Sequence, residues 1–330
     1  TMKQFNAVIG GAGFVGSRLA DVFNRSCVDY RLFDIKTNFN QSDITYLDVE
    51  DVNSLDTLNG SSCFINLAAV HKDDVRPISR YDDVNVQGAI NLCNQARKLD
   101  VKKIIFTSSV AVYGSAPVNT DESGAINFSN DYGRTKYEAE KVYKAWQSED
   151  PERRSLVIIR PTVIFGEGNR GNVYNLFNQI ASNRFVMIGN GNNIKSMAYV
   201  ENVALFLNAA LTFPPGQHIY NYVDKPDLNM NELVSLTRNI LFKQNNVGLR
   251  LPSSIGKFLG LVSDFLAYLT GKSLPVSSIR VKKFQDTTQF LSSAHETGYK
   301  PSVSLEEGIV KTLTYEFIED NSSEITFETE

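Results

Sequence analysis

The stretch GGAGFVG, residues 10–16, constrains this chain more than any other. Gly10, Gly13 and Gly16 stand three apart between a short apolar run, NAVIG, and the helix-like SRLADVFNRS. A strand that turns sharply into a helix on glycines lets backbone N–H groups approach a pyrophosphate, and the helix N-terminus adds partial positive charge. Glycine corners are common, so the next strand has to decide between a ligand site and a plain turn. A dinucleotide site needs an acidic residue at the end of that strand, about twenty residues on. YRLFDI, 30–35, supplies Asp34 there. Its carboxylate suits both adenosine-ribose hydroxyls and repels a 2′-phosphate, which favours NAD; Lys36, two residues on, keeps NADP open.

The alternation continues. SCFINLAA (62–69), KKIIFTSS (102–109) and SLVIIRPT (155–162) read as strands, with helical spacing over 81–99 and 132–146. This predicts an α/β fold, a Rossmann-type doubly wound parallel sheet with a smaller, discontinuous C-terminal substrate lobe. Residues 1–165 with about 191–224 are assigned to the sheet domain, and about 166–190 and 225–318 to the lobe. The acidic 319–330 is expected to fray. The longest apolar run, IGKFLGLVSDFLAYL (255–269), is broken by Lys257 and Asp264 and is shorter than the ~20 residues of a membrane span. It reads as an amphipathic helix packed on the protein or over a substrate pocket. A net charge of −4 argues against a nucleic-acid partner. Cys27, Cys63 and Cys93 have no metal-ligand spacing, so no metal site is expected. With no leader-like start, they point to a reducing cytoplasm.

A second constellation carries chemistry. In DYGRTKYEAEK, Tyr132 and Lys136 are four apart and project from one helix face. A phenol with pKa near ~10 is a poor acid–base at neutral pH unless a neighbouring cation stabilises its anion. Lys136 is that cation, helped by a positive nicotinamide ring. FTSSVAVYG ends a strand and brings Ser108 and Ser109 to the carboxyl edge of the sheet, where ligands bind.

Taken in order, these segments resemble the extended short-chain dehydrogenase/reductase family, within it the NAD-dependent epimerase/dehydratase group that modifies nucleotide sugars. The resemblance places Gly10, Gly13, Phe14, Val15 and Gly16 on the cofactor, Asp34 on the ribose, and Asp48 and Val49 of LDVED on the adenine side. Ala68 and Ala69 of INLAA would line the cofactor, and Asn85 of NVQGAINL would be structural. It implies Tyr132 as acid–base, Lys136 on its pKa and the nicotinamide ribose, and Ser109, rather than Ser108, on the reacting oxygen. RPTVIFGEGN, IGNGNNIKSMAYVENVA and TGYKPSVSLEEGI resemble the family's later segments. A small-molecule substrate, a UDP- or dTDP-sugar, and a homodimer through 81–99 and 132–147 follow from the same resemblance.

Departures bear on the substrate. Ile9 replaces the usual threonine, Val163 an asparagine that contacts the diphosphate, and Lys195 an arginine that often meets a phosphate. Asn172, Arg170 or Arg280 are the candidates to take over that role. Val110 and Ala111 after Ser109 leave no carboxylate for eliminating water, which argues against a dehydratase. The expected activity is hydride transfer at a sugar hydroxyl carbon, C4, in an epimerase. The alternatives are a 4-keto-sugar reductase that exchanges its cofactor, a 3β-hydroxysteroid-dehydrogenase-like oxidation of an apolar alcohol, and a non-catalytic cofactor sensor. His71 reads as a packed or solvated histidine, and Asp73 and Asp74 as a solvent-facing acidic pair.

Overall fold

A computed structural model of the chain describes residues 4–38, 43–72 and 74–329. Seven strands, β1 (Phe5–Ile9), β2 (Tyr30–Asp34), β3 (Ile44–Tyr46), β4 (Ser61–Asn66), β5 (Lys103–Thr107), β6 (Ser155–Pro161) and β10 (Gly216–Tyr222), form one parallel sheet. Their order is β10-β6-β5-β4-β1-β2-β3. The chain starts in the middle and winds outward both ways, so the strand order reverses between β1 and β4. That reversal opens the crevice in which doubly wound sheets bind ligands. Ala7, Val8, Ile9, Phe64, Ile65, Ile104, Ile105 and the whole of β6 are buried, as strands covered on both faces require.

One face is covered by α1 (Phe14–Arg25) and α6 (Val200–Ala210), through Leu19, Phe23, Val203 and Phe206. The other is covered by α3 (Gln87–Leu99), which follows the short turn α2 (Ser79–Tyr81), and by α4 (Asp131–Ser148). Tyr143 and Trp146 of α4 are fully buried there. Sequence patterning located the five long strands and these helices. It missed β3 and β10: β3 has three residues, and GQHIYNY of β10 carries no apolar run and is defined by its register along β6.

A third core lies beyond the sheet. Here β7 (Val163–Phe165) pairs β9 (Met197–Tyr199), and α5 (Asn172–Ala181), α7 (Met230–Phe242) and α10 (Leu305–Leu313) pack Phe177, Val234 and Ile309 together. Both α7 and α10 begin with capping boxes, Asn229 with Glu232 and Ser304 with Glu307. β8 (Met187–Ile188) pairs β11 (Arg250–Leu251). Next come α8 (Ser253–Thr270) and α9 (Ser278–Gln285), packed against each other.

Two expectations change. The acidic C-terminal segment does not fray: Phe327 exchanges backbone hydrogen bonds with Gly168 and Arg170, and its ring lies 5.8 Å from Phe14. Backbone pairing and an aromatic contact outweigh the polar composition. The apolar 255–269 run is helical, but it does not bury its large side chains. Only Gly256 and Gly260 of α8 are buried, while Phe258, Leu261, Phe265 and Tyr268 face outward.

A buried ion pair ties the sheet to α4. Arg160 on β6 donates to both oxygens of Glu140 on α4, at 2.6–3.2 Å, and to Tyr113 Oη at 2.9 Å. Ser108 Oγ donates to Glu140, and Tyr113 to Asn221 on β10. Removing one partner strands a charge away from water. Glu140→Ala is expected to cost about 3–5 kcal/mol in urea unfolding. The apolar pair Glu140→Leu with Arg160→Met is expected to recover much of that loss.

Candidate active site

The glycine turn sits at the carboxyl end of β1, over the start of the segment after β4. Gly10 has φ +85°, and a Cβ there would lie 2.8 Å from the Ala68 nitrogen. A Cβ on Gly16 would lie 2.6 Å from the Gly10 carbonyl oxygen. Both positions therefore exclude any side chain, for backbone reasons. Gly13 is the N-cap of α1 and provides no side-chain cap, so the helix N-terminus is open to an anion. Phe14 is buried and Val15 half-buried behind it.

Asp34 closes one side of this cradle. Its carboxylate accepts from Ala12 N at 3.0 Å and Lys36 N at 3.1 Å. It thus stands beside the glycine turn with its second lone pairs available to ribose hydroxyls. Asp48 accepts from Glu50 N, and Val49 is buried against Gly88 of α3, where a Cβ would meet Val49 at 2.8 Å. Ala68 and Ala69 are half-buried beside the turn. Asn85 bonds both the N–H and the carbonyl of Val70, and donates to Thr135 on α4. This is the structural role expected of it: it joins the end of β4 to the turn of α4 that carries Lys136. The backbone cradle, the open helix end and the ribose carboxylate together fit a dinucleotide.

His71, read in the sequence as a packed or solvated histidine, is packed, with one ring nitrogen unpaired. Its Nδ1 lies 3.3 Å from the Ala69 carbonyl, and its Nε2 is buried without a partner among the described residues. Burial lowers its pKa, and the positive charges of Lys136, Lys72 and Lys36 act in the same direction. A neutral imidazole with an unpartnered nitrogen is left beside the cofactor segment. Asp73 lies outside the described residues; Asp74 is exposed.

The start of α4 is held close to the end of β5. Asn130 caps the helix by accepting from Gly133 N, and a Cβ on Gly133 would lie 2.5 Å from the Ala111 carbonyl. Glycine at 133 thus lets α4 touch the short turn Val110–Tyr113 that Ser109 caps. Lys136 is buried, donates to the Thr107 carbonyl at 2.8 Å, and its ammonium lies 5.9 Å from the centre of the Tyr132 ring. Burial pushes its pKa down to about 7. The two serines divide. Ser108 is buried and turned into the Glu140 network, whereas Ser109 is half-buried at the sheet edge and accepts from Ala111 N at 3.0 Å. Of the two serines after β5, Ser109 is the one whose hydroxyl lies outside the buried network.

The substrate candidates do not converge. Lys195 is half-buried and donates to the Lys283 carbonyl at 2.6 Å on α9, the helix that carries Arg280. Arg280 is exposed and donates to the Pro275 carbonyl. Asn172 opens α5 and is exposed. Arg170 pairs with Glu316 at 3.0 Å and lies over the Tyr174 ring. Glu167, unnoticed in the sequence, links the loop after β7 to α1 by binding Arg18 of α1 and Tyr199 of β9. Its signal was its place in the GEGN stretch, but its partners are distant in sequence.

The NAD dependent epimerase/dehydratase family matches residues 7–222 of this chain. The chain belongs to that family. It is an enzyme of the extended short-chain dehydrogenase/reductase type, and its cofactor is NAD. The chain is 46% identical over 98% of its length, and 98% of the relative's, to the N-acetyl-α-D-glucosaminyl-diphospho-ditrans,octacis-undecaprenol 4-epimerase of Escherichia coli O157:H7. It is 28% identical, over 93% of this chain and 96% of the relative, to a decarboxylating sterol-4-α-carboxylate 3-dehydrogenase of Candida albicans. Among solved structures it resembles a Bacillus cereus UDP-glucuronic acid 4-epimerase in complex with NAD, with TM-score 0.71, 18% identity, and 94% and 98% of the two chains covered.

Two outcomes test this geometry. Asp34→Ala is expected to weaken NAD binding by about tenfold or more, since a charged hydrogen bond is worth roughly 1.5–3 kcal/mol, and to narrow the preference over NADP. Titration calorimetry with each dinucleotide reads both effects. Lys136 is neutral in the folded protein from about pH 7, while an unfolded lysine holds its proton to 10.5. The unfolded state therefore binds more protons across that window, and Lys136 makes the cofactor-free protein more stable as pH rises through it. Lys136→Met is expected to remove that slope from urea midpoints measured against pH.

Proposed function

We propose that the chain is a 4-epimerase of the nucleotide-sugar class, acting on a sugar held on a diphosphate, with Ser109, Tyr132 and Lys136 as its catalytic residues. The observation that carries the reading is the 46% identity over 98% of both chains to an enzyme named for that reaction on a diphosphate-linked N-acetylglucosamine. The side chains around Tyr132 are consistent with it.

NAD, when bound, supplies the reversible two-electron oxidation at C4. The chain does the rest. Gly10 to Gly16 and the open end of α1 hold the pyrophosphate, and Asp34 holds the ribose. The Ser109 hydroxyl binds the C4 oxygen. The Tyr132 phenolate takes the proton of the 4-hydroxyl and returns it after the 4-keto ring has turned over. Lys136, near neutrality and fixed by the Thr107 carbonyl, stabilises the phenolate while protonated.

The finer reading concerns the carrier. The relative named above acts on a polyprenyl diphosphate, and this chain lacks the asparagine and arginine that often meet a sugar-nucleotide diphosphate, having Val163 and Lys195 instead. The relative's substrate supports N-acetylglucosamine on a polyprenyl diphosphate as the preferred substrate, and the two departures leave its diphosphate to other side chains of this chain.

Purified protein is expected to release NAD on denaturation and to interconvert the gluco and galacto forms with no added cofactor. Tyr132→Phe is expected to lower kcat by about 10²–10⁴ without releasing NAD. Net accumulation of NADH with a keto product would place the chain with the dehydrogenases. Faster turnover of a UDP-sugar than of the polyprenyl-linked one would overturn the carrier reading.

A further inference from the structure

Helix α8 is built inside out. Its inward stripe is small: a Cβ on Gly256 would lie 2.4 Å from Ile188 Cγ2, and one on Gly260 would lie 2.9 Å from the backbone of Ser278. Asp264, on the same side, accepts from Ser278 N and Oγ. The large apolar side chains point away from the protein. Phe258 is 64% exposed, Phe265 61% and Tyr268 86%, with Ile255, Leu261 and Leu269 beside them. Ile279 and Val276 extend the patch towards α9. A helix that is apolar on the side facing water calls for an apolar medium there. The helix is not a membrane span; among the described residues no helix is long and apolar enough to cross a bilayer. It lies along the protein instead.

The charge around the patch names the medium. Lys257, Lys272, Arg280, Lys282 and Lys283 are exposed around it, and between Lys243 and Gln285 the one carboxylate is Asp264, turned into its bonds with Ser278. The chain as a whole carries −4, so this basic cluster is local. An apolar face edged with lysine and arginine is the composition of a helix lying in the plane of an anionic membrane surface. A second copy of the chain fits less well, because a two-fold contact would bring the same lysines together. The face is a convex helix and not a groove, which suits a bilayer better than a single prenyl chain.

We propose that α8, with the basic residues of α9, is an interfacial docking surface by which the protein lies on an anionic phospholipid bilayer. The inference rests on the lipid-carrier reading above and extends it. A sugar on a polyprenyl diphosphate is held at the membrane surface, so an enzyme for it has to work there. The helix pair is joined to the segment expected to meet the diphosphate: Lys195 Nζ donates to the Lys283 carbonyl, and Asn193 Nδ2 to that of Phe284.

Flotation with extruded vesicles of phosphatidylethanolamine and phosphatidylglycerol, without substrate, tests it. The NAD-bound full chain is expected to float with these vesicles, and less with phosphatidylcholine alone or at high salt. The combined variant Phe258→Ser, Leu261→Ser and Phe265→Ser is expected to lower the bound fraction by about tenfold or more, while keeping its NAD and its far-ultraviolet circular dichroism. Failure of the unaltered protein to float, or equal flotation of the variant, overturns the proposal. So does a fall in oligomeric state in the variant, by light scattering, without any vesicle binding. The two readings separate cleanly. Vesicle-bound protein that leaves the polyprenyl-linked sugar unchanged refutes the carrier reading alone; turnover of that sugar by protein that vesicles do not capture refutes the docking surface alone.

Discussion

Behind α4 a guanidinium and a carboxylate face each other with side-chain exposures of 4% and 0%. Taking both charges out of water costs several kcal/mol for each ion, and their attraction offsets that only with every remaining hydrogen-bonding group satisfied. Here Arg160 and Glu140 share three contacts, and Ser108 and Tyr113 complete the shell. The pair links β5, β6, β10 and α4, and so fixes the distance between the strand that ends in Ser109 and the helix that carries Tyr132 and Lys136. An apolar contact in its place would recover much of the stability but would allow α4 to slide. The direction of a buried charge pair does not.

Much of this was legible in the sequence because the signals are local. The glycine turn, the acidic end of β2 and the Tyr132–Lys136 spacing each depend on a few consecutive residues. Ser109 was separable from Ser108 in the sequence only by analogy; in the structure the two differ in that Ser108 donates its hydroxyl to Glu140. What stayed hidden depends on distant partners. Glu167 gains its meaning from Arg18 and Tyr199, and the strand at 216–222 from its neighbour β6. The partners of the substrate candidates stayed hidden for the same reason. Lys195 and Arg170 are cations in the right segments, but each is engaged by a group a long way off in the chain.

Hydropathy misled at α8 in an instructive way. An apolar run broken by Lys257 and Asp264 looked like an ordinary amphipathic helix, whose apolar side faces inward. The glycines reverse it. Gly256 and Gly260 let the helix approach the protein by its smallest side chains, and the approach turns the bulky ones outward. The order of small and large residues around the helix, rather than the apolar total, decided the orientation.

The contact between Phe327 and Phe14 joins residues near the two ends of the described chain. A contact of such sequence separation carries a large loop-closure entropy, so it forms after the intervening sheet has brought its ends together. Phe14 opens the helix after the glycine turn, and a segment far along the chain closes over it. The sheet is therefore complete before the start of that helix gains its last covering side chain.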